Sequence, residues 1–76
     1  MQVAFVLMNT ETDAMEDVLE ALKNVKEVKE AYSVYGVYDI IAKIEAKSMD
    51  KLKDVVSYRI RRLQGVRSTL TMVVIS

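Results

Sequence analysis

The sequence predicts an α+β fold, a four-stranded antiparallel sheet with two helices packed on one of its faces. Three observations point there. Within 76 residues, apolar positions switch between strand-like and helical spacing in the order β-α-β-β-α-β. No proline, linker or low-complexity tract separates the segments, so residues 1–76 are expected to form a single small domain. Each β-α-β half requires a right-handed crossover, which places both helices on the same side of the sheet, the split βαβ or ferredoxin-like arrangement.

Taken in order, Gln2 to Asn9 is a continuous β-rich run, the pattern of a strand covered on both faces. In the "TETD" that follows, Thr12 or Asp13 can cap a helix, and Asp13 and Glu16 are spaced as in a capping box. That helix places Met15, Val18, Leu19 and Leu22 on one stripe and ends near Asn24 or Val25. Val28 to Tyr35 reads as a strand, with Val28, Tyr32 and Val34 on one side and Lys29 and Ser33 on the other. Gly36 supplies backbone freedom for a tight reversal. A second strand then runs from about Tyr38 to Ala46, with Ile40, Ala42 and Ile44 on one face and Lys43 and Glu45 on the other. Ser48 can cap the second helix, whose stripe is Leu52, Val55, Val56, Ile60 and Leu63. Arg59, Arg61 and Arg62 sit in its last turns, where cations suit the helix dipole, and Gly65 is expected just past its end. Val66 to Ile75 is the final strand.

The helices cover only one face. The other is expected to collect Ala4, Val6 and Met8, with Ile41, Lys43 and Glu45, and Thr69, Thr71 and Val73. Such a surface is too apolar to leave in water and too mixed for a monomer core. It is expected to pair with a second copy, making a homodimer or a larger ring.

Composition excludes several functions. The chain has no cysteine and no histidine. Disulfides and thiolate chemistry are therefore excluded, as are Cys/His zinc sites and His-based triads within the chain. Eleven basic and eleven acidic residues cancel, which argues against non-specific nucleic-acid binding. The apolar N-terminal stretch lacks a basic n-region and is too short to span a membrane. A cytoplasmic setting is expected, and the abundance of Lys and Glu over Asn and Gln is the pattern of a thermophile's protein.

The candidate site lies in "SVYGVYDII" (Ser33 to Ile41). Asp39 opens an otherwise apolar strand, where acids are depleted. Two roles stay open for it: capping the turn by accepting backbone N–H bonds, or facing a cleft and holding a cationic group such as an amine. Of the four tyrosines, Tyr32, Tyr35 and Tyr38 cluster here, and each is a good strand former as well as a good interface residue. In "RSTLT", Thr69 and Thr71 share one side of the last strand and Ser68 takes the other; their hydroxyls are either solvated or offered to a small polar ligand. Arg59, Arg61, Arg62 and Arg67 read as a solvated helix end rather than a DNA site. No spacing singles out a catalytic pair, and Gly36 and Gly65 make no phosphate-binding loop.

Several of these features occur together in one known family. A strand leading into G-x-Y-D-[I/V], a helix ending "I-x-x-L-x-G-V", and the strand "R-[S/T]-T-x-T" are joined here in "AYSVYGVYDIIAKIEAKSMDKLKDVVSYRIRRLQGVRSTLTMVVIS". With "AFVLMNTE" as the first strand, the whole chain resembles the C-terminal effector-binding domain of the Lrp/AsnC feast/famine transcriptional regulators. Those regulators carry an N-terminal helix-turn-helix domain and a linker strand. Neither is present in these residues, so the chain is similar to the stand-alone version known as RAM, and direct nucleic-acid binding is not expected.

The resemblance implies dimers through the sheet face, a dimeric α/β-barrel-like assembly, and association into octameric or decameric rings. It also implies an amino-acid effector bound between dimers. Gly36 and the neighbouring backbone would then receive the ligand carboxylate. Asp39 would bind or orient the ammonium, directly or through water, Thr69 and Thr71 would add hydroxyl contacts, and Val37 and Tyr38 would shape the side-chain pocket. The expected function is a non-enzymatic, cofactor-free amino-acid-binding module that modulates regulation of amino-acid metabolism, with a full-length regulator of the family as a further partner. Two alternatives are a purely structural assembly domain with a vestigial pocket and a small cofactor-free oxygenase. The oxygenase generally relies on His, Asn or Trp, and the chain has neither His nor Trp.

Overall fold

The computed structural model describes residues 1–76. They form β1 (Gln2–Thr10), α1 (Met15–Lys23), β2 (Val28–Ser33), β3 (Ile40–Ala46), α2 (Met49–Asp54) with a π-helical continuation (Val55–Ile60), and β4 (Val66–Val73). The strands pair antiparallel in the order β2-β3-β1-β4, with the helices on one side, as the βαββαβ pattern predicts.

Register decides which side of each strand is buried. Ala4, Val6 and Met8 stand opposite Ile44, Ala42 and Ile40 of β3, and opposite Val73, Thr71 and Thr69 of β4. Directly opposed residues share a face. This is the covered face, because Ala4, Val6, Met8, Ile40, Ala42 and Ile44 are all fully buried beneath Val18, Leu22, Leu52, Val55 and Ile60. The bare face instead carries Val3, Phe5 and Leu7 opposite Glu45, Lys43 and Ile41, with Leu70 and Met72 beside them on β4. The expected bare face is thus corrected: Ile41, Lys43 and Glu45 lie on it, but Ala4, Val6, Met8, Thr69, Thr71 and Val73 lie on the helix side. The expectation that β1 is covered on both faces is corrected too, since Val3, Phe5 and Leu7 keep partial exposure.

Smaller departures have local causes. A register shift between Val28 and Glu30 turns Val28 and Ala31 toward the helices, opposite Ile44 and Ala42, and sends Glu30 and Tyr32 to the bare face. Val28 and Tyr32 are therefore not on one side. No side chain caps α1. Glu11 accepts the Ala14 N–H across a turn in which Asp13 adopts φ 66°, a conformation Asp tolerates, so the Asp13–Glu16 capping box does not form. Met15 is exposed, and Val18 and Leu22 carry the buried stripe. Ser48 does cap α2, accepting the Lys51 N–H at 3.1 Å.

The second helix then widens. The Arg61 N–H reaches the Val56 carbonyl at 2.9 Å, an i→i−5 bond that brings Val55 and Ile60 into line over the sheet. The helix ends at Ile60, so Gly65 is not the residue just past it. Gly65 takes φ 100° as the third residue of a turn closed by the Val66 N–H on the Leu63 carbonyl. A Cβ there would lie 2.9 Å from the Ala14 Cβ and 3.0 Å from the Val18 Cγ2, so α1 packs directly on this backbone.

Candidate ligand site

The β2–β3 connection is a six-residue loop, Val34–Asp39, closed by the Val34 N–H on the Asp39 carbonyl at 2.9 Å. A tight reversal at Gly36 is not what forms. Gly36 has no positive φ, and a Cβ added there would meet nothing within 4 Å. The loop tip is open: Tyr35 and Val37 are exposed and Tyr38 is half-buried.

Asp39 anchors the loop to β1 rather than capping its own turn. Its N–H donates to the Met8 carbonyl at 2.9 Å, and its Oδ2 accepts the Thr10 N–H at 2.8 Å and the Thr10 hydroxyl at 3.3 Å. Thr10 is the one buried polar residue and ends β1, where β3 has already stopped supplying carbonyls. The carboxylate takes over the acceptor's place, so the Thr10 amide is not left bare. Thr10 is the neighbour of Asp39 that sequence reasoning missed. Only the β1–β3 register, which sets Met8 opposite Ile40, brings it beside Asp39. Asp39 Oδ1 has no hydrogen-bond partner in the chain and is the oxygen left for an external donor.

The other candidates lie apart from this loop. Thr69 and Thr71 share one side of β4, as expected, but β1 separates β4 from β3. Thr69 stands opposite Met8, whose carbonyl holds the Asp39 amide, so a single residue of β1 links the two groups. Thr71 lines a shallow groove of about 260 Å³ with Met49, Leu52, Val56, Ser57 and Val73. No groove of the single chain is lined by Gly36, Val37, Tyr38 or Asp39. No group of three or more acidic, Cys or His residues is placed to hold a metal ion, and no helix is long and apolar enough to cross a membrane.

On the bare face, Lys43 Nζ lies 3.8 Å from both Glu30 and Glu45. The Tyr32 hydroxyl donates to Glu30 Oε1 at 2.8 Å, and the hydrogen bond and charge of Glu30 raise the phenol's pKa above its ordinary 10.0.

The four-stranded sheet with both helices on one side defines a small α+β domain of the ferredoxin-like class. Comparison with known proteins narrows this. The Lrp/AsnC ligand binding domain matches residues 3–76, and the chain belongs to that family. Similar solved structures include FFRP-DM1, at 40% identity and a TM-score of 0.96, covering 99% of this chain and 100% of that one. A hypothetical protein from Pyrococcus horikoshii is 39% identical, with a TM-score of 0.94, covering 100% and 92%. The feast or famine regulatory protein of M. tuberculosis complexed with L-methionine is 26% identical, with a TM-score of 0.85; the match covers 100% of this chain and 51% of that longer one. No match is found among curated proteins.

Proposed function

We propose that this chain is a non-enzymatic, amino-acid-responsive oligomeric module that modulates the regulation of amino-acid metabolism. One observation carries the reading: a relative that aligns over the whole chain is complexed with L-methionine. An α-amino acid needs an anion for its ammonium, donors for its carboxylate and a small apolar wall. The hairpin supplies the unengaged Asp39 Oδ1, open backbone at Gly36, and Val37 with Tyr38. Thr69 and Thr71 would add hydroxyls from another copy, since their own chain keeps them on a non-adjacent strand.

Surface area supports assembly. The chain exposes 5209 Å², about a tenth more than the roughly 4,700 Å² expected of a monomer of 8.6 kDa. The excess matches a bare sheet face carrying Phe5, Leu7, Leu70 and Met72 and a loop tip carrying Tyr35 and Val37. Dimers through the sheet face, joined into rings at the loops, would cover both. A full-length regulator of the family would use the same surfaces as a mixed-assembly partner.

The purely structural alternative rests on Asp39 Oδ2 being already occupied by Thr10. Thermal shift and calorimetry of the assembled protein against the twenty amino acids, L-methionine first, separate the two. Ligand at a hundred times its Kd adds about 2.7 kcal/mol to stability, and Asp39→Asn should remove that response. An assembled oligomer that answers to none of the twenty leaves only the structural reading.

A further inference from the structure

β2 and β4 are the two edges of the sheet, and they are protected unequally. An edge strand offers unpaired N–H and C=O groups to any other strand, and folded proteins blunt it with bulges and charged residues. β2 has both: a register shift between Val28 and Glu30, with Lys29 and Glu30 at that point. β4 is shifted only at Arg67. From Ser68 its pairing with β1 is regular to Val73, and it continues in the Val74 N–H on the Val3 carbonyl at 2.8 Å. No residue from Ser68 to Val74 is charged.

The register also fixes which backbone groups are free. Along an antiparallel pair, residues bonded to the partner strand alternate with residues whose N–H and C=O point away from it. Val74 bonds to Val3, so Met72, Leu70 and Ser68 point toward β1 as well. The N–H and C=O groups of Thr69, Thr71 and Val73 therefore point to the open edge. The Met8 carbonyl agrees, since it turns away from Thr69 opposite it and accepts the Asp39 N–H instead. Thr71 is exposed at this edge and lines an open groove beside the second helix.

We infer that β4 pairs edge to edge with β4 of a second copy, antiparallel about a two-fold axis at Thr71. The regular, uncharged run from Ser68 to Val74 is centred on Thr71, so this register alone matches it over its whole length. Thr71 meets its own counterpart and Thr69 meets Val73, and each such pair exchanges the free N–H and C=O groups. On the bare face Leu70 meets Met72 and Ser68 meets Val74, which sets exposed apolar side chains together and opposes no like charges. The contact is isologous and joins two sheets side by side, unlike a dimer that stacks them face to face. It draws on the backbone of β4 and does not rest on the hairpin reading.

The absence of native cysteine makes the register directly testable. In the paired strands Thr71 and its counterpart have Cα atoms about 5.5 Å apart, within the roughly 4.4–6.8 Å that a disulfide spans. Thr71→Cys should therefore form a covalent dimer under mild oxidation. Thr69 lies about 13 Å from its counterpart, so Thr69→Cys should link about tenfold more slowly or not at all. Mixing Thr69→Cys with Val73→Cys should restore linking. The Thr71 side chain is on the helix side of the sheet, so a face-to-face dimer does not bring the two thiols together. Linking needs no amino acid present, so this reading and the effector reading can fail separately. Hydrogen exchange on the native, assembled protein gives a second readout: the amides of Thr69, Thr71 and Val73 should exchange about tenfold or more slowly than in an unstructured peptide. Free exchange at those three amides, with Leu70 and Met72 protected, would overturn the inference whatever the variants do. A folded Thr71→Cys protein that stays monomeric on oxidation, or equal linking at Thr69→Cys and Thr71→Cys, would overturn it too.

Discussion

Asp39→Ala tests whether the hairpin carboxylate holds the fold as well as a ligand. The substitution removes the acceptor of the Thr10 N–H, at 2.8 Å, and of the Thr10 hydroxyl, at 3.3 Å. Thr10 is only 9% exposed, so its amide cannot be freely rehydrated. Leaving a buried donor unpaired costs about 1–3 kcal/mol, and the half-exposed position of Asp39 favours the middle of that range, because water can enter where the carboxylate was. A loss of about 2 kcal/mol lowers the Tm of a domain this size by roughly 8–16 °C.

Urea denaturation at fixed protein concentration gives the free energy directly, with the concentration held because assembly adds to apparent stability. Asp39→Asn keeps an oxygen for the Thr10 amide and loses only the charge assistance, so it should cost about half as much. Thr10→Val removes just the longer contact and should cost less than about 1 kcal/mol. The ordering Ala, then Asn, then Val is the signature of the anchor. An Asp39→Ala protein as stable as the native one would refute it and return the carboxylate wholly to ligand binding.

The two glycines should behave oppositely. Gly65→Ala forces φ 100° on an alanine and sets its Cβ 2.9 Å from Ala14, so a loss of more than about 1 kcal/mol is expected in chemical denaturation. Gly36→Ala, with nothing within 4 Å, should leave stability unchanged or raise it by about 0.4–1 kcal/mol while weakening any effector that approaches the Gly36 backbone. The folded-state pKa of Tyr32 lies above its ordinary 10.0, so its contribution to stability is present below pH 10 and lost as pH rises through the folded value. Ultraviolet titration of the native protein and of Glu30→Gln should show the tyrosine returning toward 10.0 in the variant. Leu7→Glu, on the bare face, should leave the far-ultraviolet dichroism of a folded chain and reduce the mass measured by light scattering; an unchanged mass would place the interface elsewhere.

Most of the architecture was legible because its signals are local. Lys43 and Glu45 alternate with Ile40, Ala42 and Ile44, which assigns the faces of β3, and Ser48 three residues before Lys51 marks a cap. The orientation of β1 was not legible. Every residue from Val3 to Met8 is apolar, so period-two reasoning has nothing to distinguish its sides, and the pairing with β3 decides. The expected bare face set the true bare side of β3 beside the covered sides of β1 and β4. The β2 bulge and the π-helical stretch were hidden for a related reason. Each inserts a residue without altering the apolar pattern, so only long-range pairing reveals it. At the site, "GVYD" was visible as a loop with an acid, whereas Thr10 lies 29 residues away and carries no motif.

The hairpin's geometry bears on why a binding role and a structural role for Asp39 need not compete. A carboxylate has two oxygens, and Thr10 takes one of them with both of its donors. That fixes the plane and leaves Oδ1 in a defined position, as preorganisation requires: the ordering cost falls on folding rather than on binding. A single chain supplies this anion but no enclosing walls, since none of its grooves touches the loop. An ammonium at an exposed carboxylate gains little in water, and the same pair gains more once a neighbouring copy excludes solvent. On the proposed reading, effector affinity and assembly are then linked, each favouring the other by the same factor. Dilution that dissociates the oligomer should weaken the effector, and saturating effector should shift the dissociation to lower protein concentration by an equal ratio.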